Sequence, residues 1–149
     1  MNDTLLAPDV VRGFMAVVVR CLRTTVGVDA VIAAVDEPHT IPGIAVALDL
    51  GGDVRGPVTW LFPSEIALEL VRRLMDDPHP SVDSAQDGAT ELANILTGQA
   101  TEVLEAHGFR CEIGVPRIHV GALPPGLSVR MTTPAGPIDV VLSLTTAAA

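Results

Sequence analysis

The sequence contains no lysine and no tyrosine, and all nine of its basic residues are arginines. Chemistry that needs a lysine Schiff base, a phosphate-loop lysine or a tyrosine nucleophile is therefore excluded. Basic residues are also outnumbered, because 18 acidic residues leave a net charge of −9 over 149 residues. We expect such a chain to bind neither nucleic acid nor an anionic membrane, since both are recognised through clustered positive charge.

Long hydrophobic runs are missing as well. Stretches such as Phe14–Val19 and Ile41–Leu48 fall far short of the roughly 18–20 apolar residues that cross a bilayer. No basic segment precedes an apolar one in the manner of a secretory signal. The two cysteines, Cys21 and Cys111, fall in a predicted helix and a predicted strand, and two free thiols are favoured over a disulfide. The chain is thus expected to be cytoplasmic.

Hydrophobic periodicity predicts one domain over residues 1–149, in which grouped helices precede most of the strands. Helices are predicted at about 8–25, 64–75 and 84–107, with Ser64 as the candidate N-cap of the second. Alternation around Gly51-Gly52-Asp53 predicts a β-hairpin. Further strands are predicted at 28–36, 109–115, 116–121, 127–133 and 138–144, a linker at 76–86 and a disordered tail at 146–149. The expected fold class is α+β, a two-layer domain with an antiparallel sheet packed against about three helices.

The third predicted helix has one strongly polar face. Projection at about 100° per residue places acidic residues, Asn94 and Gly98 on one side and apolar residues opposite. The acidic residues of that side are Asp87, Glu91, Glu102 and Glu105. Most charge runs of this kind are only a solvated surface. Glycine costs up to about 1 kcal/mol relative to alanine in a helix interior, and asparagine is unfavourable there too. A face that keeps both predicts a docking surface.

These residues carry a resemblance to a known family. The pattern Asp87-x-x-x-Glu91-x-x-Asn94, followed by Ile95 and Gly98, is similar to that of the CheC/CheX/FliY phosphatases. Members of this family act on the phosphorylated chemotaxis response regulator.

Two further features extend the resemblance over nearly the whole chain. Pro116 and Gly121 follow the motif, and the hairpin and helix before it match the CheX branch. CheC-type members usually carry two Glu-x-x-Asn motifs. Here Glu69, at the equivalent place in the preceding helix, is followed by Leu-Val-Arg72 with no asparagine. The single motif points to a CheX-type, CheC-like protein.

The resemblance implies a role for each residue of the pattern. Asn94 would orient the water that attacks an aspartyl phosphate, and Glu91 would pair with the lysine of the response regulator. Asp87, Ile95 and Gly98 would line the contact with that partner. Residues i and i+3 lie side by side on a helix, and a carboxamide both donates and accepts hydrogen bonds while staying neutral. The chain would need no cofactor or metal of its own, because Mg²⁺ would be bound by the CheY-like partner.

Several alternatives stay open at this point. The same fold could serve as a non-catalytic response-regulator or flagellar-motor binding module, or as a small-ligand sensor. Asp87 is explained equally well by a favourable position in the first turn of its helix. His39, His79, His107 and His119 show no helical metal-ligand spacing. The resemblance also implies a homodimer joined through its sheet.

Overall fold

The computed structural model describes residues 3–35, 43–76 and 78–147. Within these ranges, three helices pack against an antiparallel sheet, so the predicted α+β class is confirmed. The helices are α1 (Pro8–Val26), α2 (Ser64–Met75) and α3 (Val82–Ala106). The strands are β1 (Asp3–Leu5), β2 (Val31–Val35), β3 (Gly43–Gly52), β4 (Val54–Pro63), β5 (Cys111–Ile113), β6 (Arg117–Ile118), β7 (Leu127–Thr133), β8 (Gly136–Leu142) and β9 (Thr145–Ala147).

Strand β4 organises the sheet. The predicted hairpin joins β3 to one side of it, with Gly43 opposite Pro63 and Leu50 opposite Gly56. On its other side β4 pairs with β8, which continues to β7 and then to β2. Strands β5 and β6 both pair with β3. Gly56 has a φ of +124°, and a Cβ there would collide with the carbonyl oxygen of Ser143, so glycine is required at this crossing.

The core lies between the sheet and the helices. Alternate residues of the hairpin strands are buried beneath the helices, among them Val46, Leu48, Val58, Trp60 and Phe62. Helix α3 contacts α1, α2 and β3. A Cβ on Gly88 of α3 would lie 2.5 Å from Cγ2 of Val71, so the absence of a side chain at this position lets α2 and α3 approach closely.

Two helix starts differ from the predictions. Helix α2 spans the predicted residues, but its N-cap is Pro63 rather than Ser64, and no side chain caps it. Helix α3 begins at Val82, earlier than predicted, because Ser81 is its N-cap and its Oγ accepts a hydrogen bond from the backbone N–H of Ser84. The predicted linker at 76–86 therefore ends at Ser81.

The two ends of the described chain meet in the sheet. Strand β1, which the local pattern does not predict, pairs with β9, and β9 also pairs with Val54 and Arg55 of β4. This corrects the expectation of a disordered tail at 146–149 for Thr146 and Ala147, which lie in β9. Residues 148 and 149 lie outside the described residues. Pairing with distant segments orders this stretch, and local sequence carries no sign of it.

Candidate functional site

Helix α3 presents all five predicted site residues on its outer side, which we call the motif face: Asp87, Glu91, Asn94, Ile95 and Gly98. The first three are exposed, and Ile95 and Gly98 are half-buried. The opposite side of the helix is buried against the core. Packing of the apolar side thus directs the motif outward, as the helical projection predicts.

The two residues expected to carry the chemistry are free to engage a partner. Within the described ranges, neither the Glu91 carboxylate nor the Asn94 carboxamide has a hydrogen-bond or ion-pair partner. Both are exposed and three residues apart on one helix, so they face the same side. The arrangement can offer a neutral donor–acceptor group and a carboxylate together to a docked molecule.

Gly98 has no internal reason to be glycine. A Cβ at this position would meet nothing within 4 Å, whereas one at Gly88 would collide with Val71. Since glycine costs about 1 kcal/mol relative to alanine in a helix interior, its presence here calls for another explanation. An open helix surface one turn from Asn94 allows close approach by another backbone.

Asp87 is not explained by the helix N-terminus. Helix α3 begins at Val82, so Asp87 lies beyond its first turn, and Asp83 is the acidic residue in that turn. The favourable interaction with the helix dipole fades within the first turn. The alternative explanation of Asp87 therefore loses its basis, and its exposure beside Glu91 favours a role in docking.

A buried hydrogen bond, which the sequence did not predict, connects the inner side of α3 to the sheet beneath the motif face. Trp60 Nε1 donates a hydrogen bond of 2.9 Å to Thr97 Oγ1, and that hydroxyl donates to the carbonyl oxygen of Ala93 at 2.7 Å. Trp60 and Thr97 are both fully buried. In the sequence, this contact could have been inferred from Thr97, because Thr97 is a polar residue on the apolar side of the predicted helix.

The equivalent position of α2 is already engaged. Glu69 accepts hydrogen bonds from Arg72 at 2.6 Å and from Arg73 at 2.9 Å. These two guanidinium groups lower the pKa of Glu69 to about 2. Arg73 also donates to the carbonyl oxygens of Val26 and Gly27 at the end of α1. Glu69 therefore holds Arg73, which links α2 to the end of α1, and is not presented to a partner as Glu91 is.

The other reactive groups do not belong to the motif face. Cys21 and Cys111 are free thiols, as favoured. Burial, together with the carboxylates of Glu105 and Asp53, raises the pKa of Cys111, which makes it a poor nucleophile. In the part of the chain that the structure describes, no three histidine, cysteine or acidic side chains gather as metal ligands would. His39 lies outside that part.

A family model described as "Chemotaxis phosphatase CheX" matches residues 44–130, more than half of the chain. The chain belongs to the CheX family. The match includes the β3–β4 hairpin, α2 and α3, and therefore the whole motif face. No curated protein matches the sequence. Across the described ranges, no helix of this CheX-family protein combines the length and apolar character needed to cross a bilayer.

Solved structures share the fold across nearly the whole chain. CheX from Desulfovibrio desulfuricans has a TM-score of 0.76 at 17% identity, covering 89% of this chain and 96% of its own. CheX in the CheX–CheY–BeF₃–Mg²⁺ complex from Borrelia burgdorferi has a TM-score of 0.69 at 20% identity, covering 94% and 98%. FliY from Thermotoga maritima has a TM-score of 0.68 at 14% identity, covering 94% and 92%. At these identities the likeness shows the fold.

Proposed function

We propose that this protein is a phosphatase that hydrolyses the aspartyl phosphate of a CheY-like receiver domain. The observation that carries the proposal is the exposed, unpartnered pair of Glu91 and Asn94 on α3 of a CheX-family chain. The structural likeness to the CheX of a CheX–CheY complex supports the choice of partner.

Asn94 would act on the attacking water. In the reaction, a water oxygen bonds to phosphorus, the bond from phosphorus to the aspartate oxygen breaks, and inorganic phosphate leaves with the receiver's carboxylate restored. The Asn94 carboxamide can accept a hydrogen bond from the water and hold its oxygen in line with the breaking bond. A neutral amide does this without repelling the phosphoryl oxygens. The Asn94 side chain would therefore act by positioning.

Glu91 would fix the register of the complex. An exposed carboxylate close to a phosphoryl group is repelled by it unless a cation lies between them. That cation would be a lysine of the receiver, and this chain contains no lysine of its own. Mg²⁺ would be bound by the receiver, where it neutralises charge on the phosphoryl group, and no cofactor of this chain is involved.

The test is phosphate release from a phosphorylated, Mg²⁺-loaded receiver domain. We expect the wild-type protein to accelerate release, Asn94→Ala to abolish the acceleration and Glu91→Ala to weaken it. Glu105→Ala is the matched control, because it removes an exposed carboxylate from the same helix about 21 Å further along than Glu91, beyond the five residues of the motif face. A rate unchanged by the wild-type protein, or equal loss in Glu91→Ala and Glu105→Ala, would contradict the assignment.

A non-catalytic binding module is the second candidate. It is supported by the likeness of the fold to FliY, and a docking face needs no chemistry to be useful. The same experiment separates the two. Binding of the receiver without any acceleration of phosphate release would favour the binding module, whether the partner is a response regulator or a flagellar-motor component.

We also propose that the protein is a cytoplasmic homodimer joined through its sheet. The two free thiols agree with a reducing compartment. Strands β5 and β6 form the outer side of the sheet beyond β3, and Val115 and Val120 beside them are 86% and 87% exposed. An edge strand flanked by exposed apolar side chains is a template for pairing with a second copy.

A further inference from the structure

A cleft between α1 and α3 opens beside the motif face. It has a volume of about 340 Å³, and we call it the α1–α3 cleft. Its lining includes Val17, Arg20 and Thr24 from α1 and Ile95, Gln99 and Glu102 from α3. Ile95 follows Asn94 in the chain and also belongs to the motif face. The cleft and the motif face therefore form one continuous surface.

Two opposite charges line this cleft without pairing. Arg20 and Glu102 are both exposed, and neither forms an ion pair with any other residue in the described ranges. The surface next to them is acidic, since Asp87 and Glu91 are exposed on the motif face. Of the described residues that line the α1–α3 cleft, Arg20 is the one with a basic side chain. It is therefore the group there that can bind an acidic side chain of a docked partner.

We propose that recognition of the phosphorylated receiver extends from the motif face into the α1–α3 cleft, where Arg20 pairs with an acidic side chain of the receiver. This inference rests on the proposed function and adds a specificity-determining residue to it. Glu102, on the opposite wall, would pair with a basic side chain of the receiver. Half-buried Ile95 lines the same cleft and would provide an apolar contact to the receiver.

The positions of the positive and negative charge on the two walls of the cleft would determine which receivers bind well. A receiver with the complementary order, acidic toward α1 and basic toward α3, gains two ion pairs, and a reversed order meets like charges on both walls. Complementary charge at an interface suppresses wrong partners and speeds encounter. Arg20 touches neither the phosphate nor the water in this arrangement. Its loss should therefore weaken binding and leave the chemical step unchanged.

The experiment compares two charge reversals on the same helix. Arg20→Glu is tested against Arg12→Glu, which changes the net charge equally at an exposed arginine about 12 Å away along α1 and outside the cleft. Steady-state phosphate release gives kcat and KM for the phosphorylated receiver. Affinity for the receiver loaded with beryllium trifluoride and Mg²⁺ gives binding apart from catalysis. Arg20→Gln serves as a milder variant, with circular dichroism to confirm folding.

We expect Arg20→Glu to raise KM and the dissociation constant about tenfold, Arg20→Gln to have a smaller effect in the same direction, and kcat to stay constant. Arg12→Glu should match the wild type. Equal effects of the two reversals, or none, would overturn the inference while leaving the proposed function standing. If the wild type binds without accelerating release, a selective loss in Arg20→Glu supports the inference and refutes the phosphatase. A wild type that does not bind overturns both.

Discussion

The indole N–H of Trp60 in β4 donates a 2.9 Å hydrogen bond to Thr97 in the middle of α3. Thr97 lies between Asn94 and Gly98 in sequence, but on the buried side of the helix. Together with the packing of the apolar side of α3, the contact restricts the rotation of the helix about its axis, because turning the helix would break it. The direction in which Asn94 faces therefore depends on a side chain of the sheet.

Thr97→Val is expected to destabilise the fold by about 1–3 kcal/mol, since it leaves the buried indole N–H of Trp60 without an acceptor. Valine keeps the shape of threonine, so the loss is that of a hydrogen bond and not of packing. Urea unfolding measures the change, followed by fluorescence of the single tryptophan. Thr90→Val is the control, because Thr90 also bonds back to its helix, at the carbonyl of Gln86, but holds no indole. Equal losses in the two variants would refute the special role of Thr97.

Gly98→Ala and Gly88→Ala are expected to change stability in opposite directions. Alanine at 98 meets nothing within 4 Å and should raise the free energy of unfolding by up to about 1 kcal/mol. Alanine at 88 collides with Val71 and should lower it by about 1–3 kcal/mol. Denaturant unfolding of the two variants gives both values.

The stabilised Gly98→Ala variant should bind the receiver less well. A methyl group on the open surface beside Asn94 would hold the partner away from the motif face. Receiver affinity, measured with the beryllium-trifluoride form, should fall although the protein is more stable. Unchanged or tighter binding would show that Gly98 is not part of the contact.

Features that depend on neighbouring residues can be predicted from the sequence, whereas features that depend on contacts between distant segments cannot. The bounds of α2 and the outward direction of Asn94 follow from helical periodicity, which is a property of neighbouring residues. Strand β1 is three residues long and is ordered by β9, at least 140 positions away, so no local signal could reveal it. Helix packing places Arg20 and Glu102 in the lining of one cleft, which single-helix projections cannot show.

Because Glu69 pairs with Arg72 and Arg73, its contribution to the stability of the fold should persist at acidic pH. Arg72 and Arg73 lower the pKa of Glu69 from 4.5 to about 2 in the folded state. Because the folded pKa is the lower one, the stabilisation is complete above pH 4.5 and is lost as the pH falls toward 2. Carbon-13 NMR of the side-chain carboxyl should show its titration near pH 2.

Glu69→Gln provides the thermodynamic counterpart. The difference in unfolding free energy between wild type and Glu69→Gln should be constant from pH 7 to about 4.5 and shrink below that. Glu65→Gln on the same helix removes an exposed carboxylate that has no arginine partner among the described residues. It should therefore lower the free energy of unfolding less than Glu69→Gln does. A carboxyl titration of Glu69 near pH 4.5 would show that the arginine contacts do not hold in solution.

Val120→Asp is expected to disrupt the proposed dimer. Val120 follows β6 and is 87% exposed, so an aspartate there is accommodated in the monomer. In a dimer joined at this edge, two copies of the new carboxylate would approach each other in a chain that already carries a net charge of −9. Sedimentation at micromolar concentration should show a particle of twice 15.5 kDa for the wild type and of 15.5 kDa for the variant.

Val31→Asp, on the exposed part of β2, is the matched control and should leave the mass unchanged. A wild-type particle of 15.5 kDa would refute the dimer, and loss of the dimer in Val31→Asp alone would move the interface to β2.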